Sequence, residues 1–383
     1  MEDARDALRA VVDPELGADI VDLGMVRHLE VRPDGVVEVA VALTIAGCPL
    51  RDQIERDVRG RLGGLPGVAG VTLTIAEMDP AEKSAVMARA RWKAREEAPA
   101  TAVPTTTRVL AVASGKGGVG KSSVTVNLAV ALARRGLTVG ILDADIWGFS
   151  VPRLLGMDGE VEARAGKMVP LEQTVAGAGG RPDGRLRVLS MGFLADEDRA
   201  IMWRGLVLNR AVQQFLQDAH WGDLDYLLID LPPGTGDVQM GLARMLPRTE
   251  MLIVTTPPLA AQKVAARAAD MARRGYLRVA GVIENMSDFT CDHGTTYALF
   301  GRGGGERLAN ELGVPLVGTV PLHPDLSAGG DLGQPVAFGD GELGAAFADL
   351  ARSVAEEIAP VVDAAGCTAR LLDHVEAAVA AKG

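Results

Sequence analysis

Ten residues constrain this chain more than any others. The run SGKGGVGKSS, residues 114–123, follows the apolar segment RVLAVA and leads into the helical segment SSVTVNLAVALARRG. Gly115, Gly120, Lys121 and Ser122 satisfy the pattern G-x-x-x-x-G-K-[ST] between a strand and a helix, the setting that its mechanism requires. Glycines let backbone N–H groups turn inward around phosphates, and the start of a helix adds its positive dipole end. Gly115, Lys116, Gly117, Gly118, Val119, Gly120, Lys121, Ser122 and Ser123 are therefore the expected nucleotide cradle. Lys121 is expected to reach the β and γ phosphates, and the Ser122 hydroxyl to bind Mg²⁺. A glycine-rich turn without a ligand is the competing reading, and the complete motif in this context disfavours it.

The rest of the chain agrees with that start. From residue 108, the strand-like runs RVLAVAS, TVGILDAD, RLRVLSM, DYLLID, EMLIVTT, VAGVIEN and PLVGTVP alternate with helical runs, two of which end at Gly136 and Gly275. Apolar strands alternating with helices predict an α/β fold, a mostly parallel sheet with helices on both faces. Residues 156–184 break the rhythm and read as a surface insertion, residues 343–381 read as helical, and no internal repeat is visible.

Residues 1–95 form a separate unit. VVEVAVALT alternates as a half-buried strand, RDQIERDVRGRL is an amphipathic helix, VAGVTLTIAEM is another strand, and DPAEKSAVMARARWK opens with a proline just inside a helix start. The order α-β-β-α-β-α predicts a small α+β domain. The stretch over residues 96–107, rich in Pro, Thr and Ala, reads as a semi-extended tether reaching about 37 Å. The expected division is 1–95, a 96–107 linker, a nucleotide-binding domain over 108–360, and a C-terminal helix over 361–383.

Composition excludes several classes. The 39 Lys plus Arg against 50 Asp plus Glu leave a net charge of −11, which argues against a nucleic-acid surface. No run of 18 or so apolar residues offers a membrane span, and the first residues, MEDARDALRA, lack a signal-peptide run. The three cysteines, Cys48, Cys291 and Cys367, are too few and too scattered for a disulfide framework and fit a reducing, cytoplasmic setting.

Acidic residues complete the expected site. DADIWGFS puts Asp143 and Asp145 at a strand end, where a parallel sheet presents ligands. Asp143 is expected near the Mg²⁺ shell and Asp145 beside the attacking water. DYLLIDLPPGTGD ends a buried strand at Asp230, the expected position of a second Mg²⁺-linked carboxylate. Pro232, Pro233 and Gly234 then form a stiff loop suited to sensing the γ-phosphate. For any single Asp, a strand-end cap is the plain alternative.

Lys116 is not needed to bind phosphate within one chain. GKGGVGKS resembles the deviant Walker A family of P-loop NTPases, which includes MinD, ParA, the nitrogenase iron protein and the Mrp-type carriers. That resemblance implies a homodimer that sandwiches ATP, with Lys116 reaching the nucleotide of the other subunit. It also implies that Asn285 reads the adenine edge, with PLHPDL on the other side of the base. DADIWGFSVPRLLG, IDLPPGTGDVQ and ENMSDFTCDHGTTYALFGRGGGERLA resemble the Mrp (ApbC-type) iron–sulfur carriers over the whole ATPase domain. VVDPELGADIVDLGMV and LTIAGCPLRDQIE resemble the small SufT-like iron–sulfur assembly domain. In that domain the cysteine matching Cys48 precedes a helix, whose N-terminus favours thiolate; a small core cysteine is the alternative. The resemblance implies an ATPase that carries iron–sulfur clusters to apo-proteins and binds neither nucleic acid nor membrane. A MinD/ParA-like dimerisation switch without a cluster is the alternative, and its basic membrane helix has no counterpart in DAAGCTARLLDHVEAAVAAKG.

The chain departs from the carrier pattern at one loop. Where many carriers have C-P-x-C-G, this chain has Cys291-Asp292-His293-Gly294-Thr295. A symmetric pair then supplies two Cys291 thiolates and at most two His293 imidazoles. Such a set can bind zinc, and mixed Cys/His ligation of a two-iron cluster is chemically known. A loop that has lost cluster ligation is the alternative. Low-potential electron transfer, which needs two cluster cysteines per subunit, is disfavoured. Cys367 falls in the expected C-terminal helix, away from any motif.

Overall fold

The computed structural model describes residues 2–13, 18–44, 51–96, 98–145, 148–164, 166–193, 205–234 and 236–361. The chain divides into two compact units, Met1–Ala98 and Pro99–Gly383. In the first, strands Val26–Val31, Val36–Leu43 and Gly70–Glu77 form a three-stranded sheet. The central strand runs antiparallel to the first and parallel to the third. It buries Val37, Val39 and Val41 at every second position. Helix Arg51–Gly63 buries Ile54, Val58 and Leu62, one turn apart. Helix Pro80–Glu96 starts on a reciprocal capping box. The Glu82 N–H donates to Asp79 Oδ1, and the Asp79 N–H to Glu82 Oε2, each at 2.8 Å. Cys48 lies outside the described residues.

The tether expectation meets a correction. Residues 99–107 belong with the second unit and are fastened to it: the Ala102 N–H donates to the Leu216 carbonyl, Val103 is buried, and Arg248 donates to the carbonyls of Val103 and Pro104. Thr107 Oγ1 donates to the Leu224 carbonyl. Proline and threonine content suggests free chain, but one apolar side chain and an arginine serving two carbonyls tie this segment down.

The second unit is built on eight strands, numbered here in chain order: β1 Arg108–Ser114, β2 Thr138–Asp143, β3 Leu171–Val175, β4 Gly184–Ser190, β5 Tyr226–Asp230, β6 Glu250–Thr255, β7 Arg278–Glu284 and β8 Leu316–Thr319. Their spatial order is β3-β4-β2-β5-β1-β6-β7-β8, and every pairing is parallel except β3 with β4. Part of the expected insertion is thus sheet. After the hairpin Glu162–Arg164 with Lys167–Val169, β3 turns back and pairs antiparallel along β4 at the sheet edge. LEQTV is half polar because an edge strand meets solvent, which hides it from a search for continuous apolar runs.

Helices cover both faces. In β5, Leu227 and Ile229 point into one core with Phe215, Trp221 and Ala269, while Tyr226 and Leu228 point into the other with Leu128, Ile141 and Phe347. The helix that follows the glycine loop, Lys121–Ala133, is buried on nearly every side. Near the end, helix Glu342–Ser353 runs into the π-turn Val354–Ile358. The expected helix over 361–383, with Cys367, lies outside the described residues but for Val361.

Candidate functional site

The parallel register gathers polar residues into one row. Ser190 of β4 pairs with Asp143 of β2, and Asp143 pairs with Asp230 of β5. All three end their strands, where the loops of a parallel sheet leave room for a ligand. On β1, which pairs directly with β5, Ser114 ends its strand and opens the glycine loop.

That loop and its surroundings line a cleft of about 270 Å³. Its walls include Lys116, Gly118, Gly120, Lys121, Ser122 and Asp145. Gly118 and Gly120 adopt φ +78° and +77°, conformations that a side chain would strain. Gly120 is the N-cap of helix Lys121–Ala133 and offers no side-chain cap, so the first N–H groups stay available to an anion. Gly115 serves packing: a Cβ there would stand 2.2 Å from the Val264 carbonyl carbon, in the backbone of helix Leu259–Arg274. The Gly234 N–H donates to the Ser114 carbonyl at 3.1 Å, docking the Pro232–Pro233 loop on the strand end.

Three groups of the P-loop helix converge on Asp230, which is fully buried. Lys121 Nζ is 2.7 Å from Asp230 Oδ1, Thr125 Oγ1 is 2.9 Å from the same oxygen, and Ser122 Oγ is 2.5 Å from Oδ2. Lys121 is itself buried, so this is an ion pair shielded from water. Lys116, two residues past the end of β1, is exposed and makes no ion pair among the described residues.

Asp143 is held differently. It accepts from the backbone N–H groups of Asp145, Ser150 and Val151, each at 3.2 Å, and from Ser190 Oγ at 3.0 Å. Burial, reinforced by the neighbouring Asp230 charge, pushes its carboxyl up to about 7; hydrogen bonds from Val151 and Asp145 and the charge of Lys121 oppose that rise. Asp145 is half-buried at the cleft wall.

Asn285 follows β7 and is buried beneath the glycine loop. Its Nδ2 donates to the Val119 carbonyl at 2.8 Å, which fixes the amide orientation. Its Oδ1 is buried with no hydrogen-bond partner among the described residues.

Cys291 lies elsewhere in this unit and lines no part of the cleft. Strands Phe289–Thr290 and Thr296–Tyr297 form a hairpin whose tip is Cys291-Asp292-His293-Gly294-Thr295. The Cys291 N–H donates to the Thr295 carbonyl at 3.0 Å, and the Gly294 N–H to the Cys291 carbonyl at 2.8 Å. Backbone N–H groups of His293 and Thr295 hold the half-exposed thiol below its usual range, favouring thiolate. His293 is exposed. Gly294, at the position of the missing second cysteine, has φ +77° and open space around it. In the first unit His28, Glu30 and Glu38 also cluster, but they are solvated and Arg32 already pairs with Glu38.

Lys121, Ser122, Asp143, Asp145 and Asp230 thus surround or underlie one cleft, Asn285 supports its floor, and Cys291 with His293 stands apart. Pattern reading missed Thr125 and Ser190. Thr125 sits at i+4 from Lys121, on the same helix face, and Ser190 is the polar end of an apolar strand; both are visible signals once the register is known.

Comparison with known proteins bears on both units. Residues 105–359 match the model of the NUBPL iron-transfer P-loop NTPases, and residues 1–73 that of an iron–sulfur cluster assembly protein. An iron–sulfur cluster carrier protein of Mycobacterium tuberculosis is 45% identical over 342 residues, covering 87% of each chain. That of Deinococcus radiodurans is 44% identical over 358 residues, covering 92% of this chain and 94% of the relative. Among solved structures, a nucleotide-binding protein of Archaeoglobus fulgidus in complex with ADP is 34% identical with a TM-score of 0.51, covering 65% of this chain and 93% of its own. These matches favour the carrier reading over a MinD-like switch. With a phosphate loop backed by a buried Lys–Asp pair, and relatives matched across both units, the chain belongs to the iron–sulfur cluster carrier family of P-loop NTPases.

Proposed function

We propose that this chain binds ATP with Mg²⁺, hydrolyses it slowly as a homodimer, and carries an iron–sulfur cluster as cargo to apo-proteins. The observation that supports this best is the convergence of Lys121, Ser122 and Thr125 on buried Asp230 at the mouth of an uncapped helix. The donor set suits Mg²⁺: Ser122 Oγ, Asp230 and Asp143 are hard oxygen ligands, and among the described residues the two in-register carboxylates share one buried lysine. Bound there, Mg²⁺ supplies charge neutralisation for phosphoryl transfer.

The chain's own residues do the rest. Gly117, Gly118, Val119, Gly120, Ser122 and Ser123 offer backbone N–H groups to the phosphates. Lys121 leaves Asp230 and turns to the nucleotide, so its charge serves phosphate when ligand is present and carboxylate when it is absent. Asp145, on the cleft wall, orients the attacking water. Lys116, exposed and without an ion pair among the described residues, reaches the nucleotide of a second copy. The Asn285 Oδ1, an acceptor with no donor among the described residues, suits the amino group of adenine. Cys291 from each copy, with His293, completes a four-ligand cargo site that one hairpin cannot provide alone. Cys48 is a second thiol in the assembly-like unit.

Anaerobic reconstitution tests the carrier role. Iron and sulfide are expected in wild type and transferred to an apo-acceptor, with retention lost in Cys291→Ser. ATP turnover is expected in wild type and lost in Lys121→Ala. A wild type that takes up no iron and sulfide, or a Cys291→Ser variant that transfers as well as wild type, would refute the cargo site.

A further inference from the structure

Thr125 is a fully buried hydroxyl one helical turn beyond Lys121. Its Oγ1 stands 2.9 Å from the Lys121 carbonyl and 2.9 Å from Asp230 Oδ1. A hydroxyl carries one proton, so it donates to one of these two acceptors at a time. The carbonyl four residues back is the ordinary resting partner of a helical threonine. Asp230 Oδ1 is already served by Lys121 Nζ at 2.7 Å, and Oδ2 by Ser122 Oγ at 2.5 Å.

The arrangement changes when Lys121 turns to a phosphate. Asp230 has no solvent exposure, so no water replaces the departing ammonium at Oδ1. Leaving a buried charged acceptor unpaired is strongly unfavourable. Thr125 is in place to prevent this, because rotation about one bond moves its proton from the helix carbonyl to Oδ1. The vacated carbonyl still accepts the backbone N–H of its own helix. We propose that Thr125 is a positioning residue: its hydroxyl takes over Asp230 Oδ1 as Lys121 leaves, keeping Oδ2 aimed at Ser122 while nucleotide is bound. The inference rests on the reading of the cleft as a Mg²⁺–ATP site, but part of its test does not.

That part is a double-mutant cycle on nucleotide-free protein. Thr125→Val keeps the shape and removes the hydroxyl. In the wild-type background, where Lys121 holds Oδ1, it is expected to shift the thermal midpoint by less than about 2 °C. In a Lys121→Met background, where only Thr125 remains at Oδ1, the same change is expected to lower the midpoint by about 3–6 °C. Additive effects would overturn the exchange. The second part measures equilibrium affinity for ADP and for a non-hydrolysable ATP analogue, with Mg²⁺ present. Thr125→Val is expected to bind each about tenfold more weakly than wild type, and Thr125→Ser to bind within about twofold of it. Wild-type affinity in Thr125→Val, or no rescue by Thr125→Ser, would overturn the role even if Lys121→Met proved too unstable for the cycle. A wild type with no nucleotide affinity would overturn the reading of the cleft, whereas a non-additive cycle would still uphold the Thr125–Asp230 contact.

Discussion

Asp143 stands opposite Asp230 on adjacent parallel strands, and both carboxylates are buried. Burial and the Asp230 charge push the Asp143 carboxyl from 3.8 to about 7, so the metal-free fold favours its protonated form. Stability from this group is present below the unfolded value and is lost as pH rises through about 7. In EDTA, the thermal midpoint of wild type is therefore expected to fall between pH 4 and pH 8 by more than that of Asp143→Asn. At pH 8 the variant should be the more stable by about 2 kcal/mol, or roughly 4–8 °C. Calorimetry at both pH values checks this, and a less stable Asp143→Asn at pH 8 would show that backbone donors outweigh desolvation.

The two lysines of the loop should separate cleanly. Lys121→Met removes the cation from a buried pair and is expected to destabilise nucleotide-free protein by about 3 kcal/mol, read by urea unfolding. Lys116→Ala touches an exposed side chain with no ion pair among the described residues, so its stability should stay within about 0.5 kcal/mol of wild type. On the proposed function its ATP turnover should nonetheless drop at least about 100-fold. Retained turnover in Lys116→Ala would remove the second-copy role.

Glycines of one motif should differ in what they tolerate. Gly115→Ala drives a Cβ to 2.2 Å from the backbone at Val264 and should cost about 2–4 kcal/mol. A Cβ on Gly117 meets nothing within 4 Å, so Gly117→Ala should stay within about 1 kcal/mol. Equal losses in unfolding experiments would mean that helix Leu259–Arg274 yields to the intruding methyl group.

The hairpin thiol should be unusually reactive. With Cys48 and Cys367 replaced by serine, iodoacetamide should modify Cys291 with a pH midpoint below that of free cysteine, because N–H groups of His293 and Thr295 favour its thiolate. Gly294→Cys restores the second thiol of the usual pair without a clash, at about 1 kcal/mol of left-handed backbone strain. It should raise iron bound per chain after reconstitution; unchanged iron would place the cargo ligands elsewhere.

Local pattern carried a large share of this protein. The glycine loop was legible because phosphate binding demands a short, contiguous set of residues between a strand and a helix. The inner apolar runs were legible because strands covered on both faces have no polar side to vary, and edge strand Leu316–Thr319 because its short sequence stays mostly apolar though partly exposed. Edge strand Leu171–Val175 was not, since solvent on one face gives it a loop-like composition. Residues 99–107 looked unstructured because their anchors, Leu216, Leu224 and Arg248, are more than a hundred residues away in the chain. The groups of the site are also remote in the chain, Ser190 from Asp143 by 47 residues and Ser122 from Asp230 by 108. The sequence by itself determined that Lys121, Ser122, Asp143 and Asp230 end or open their elements. Only the tertiary structure decided that the β4-β2-β5 register aligns Ser190, Asp143 and Asp230, and that Thr125 shares an Asp230 oxygen with Lys121. Strand order and register arise from packing between segments remote in the chain, and a local pattern of residues does not encode which strand becomes whose neighbour.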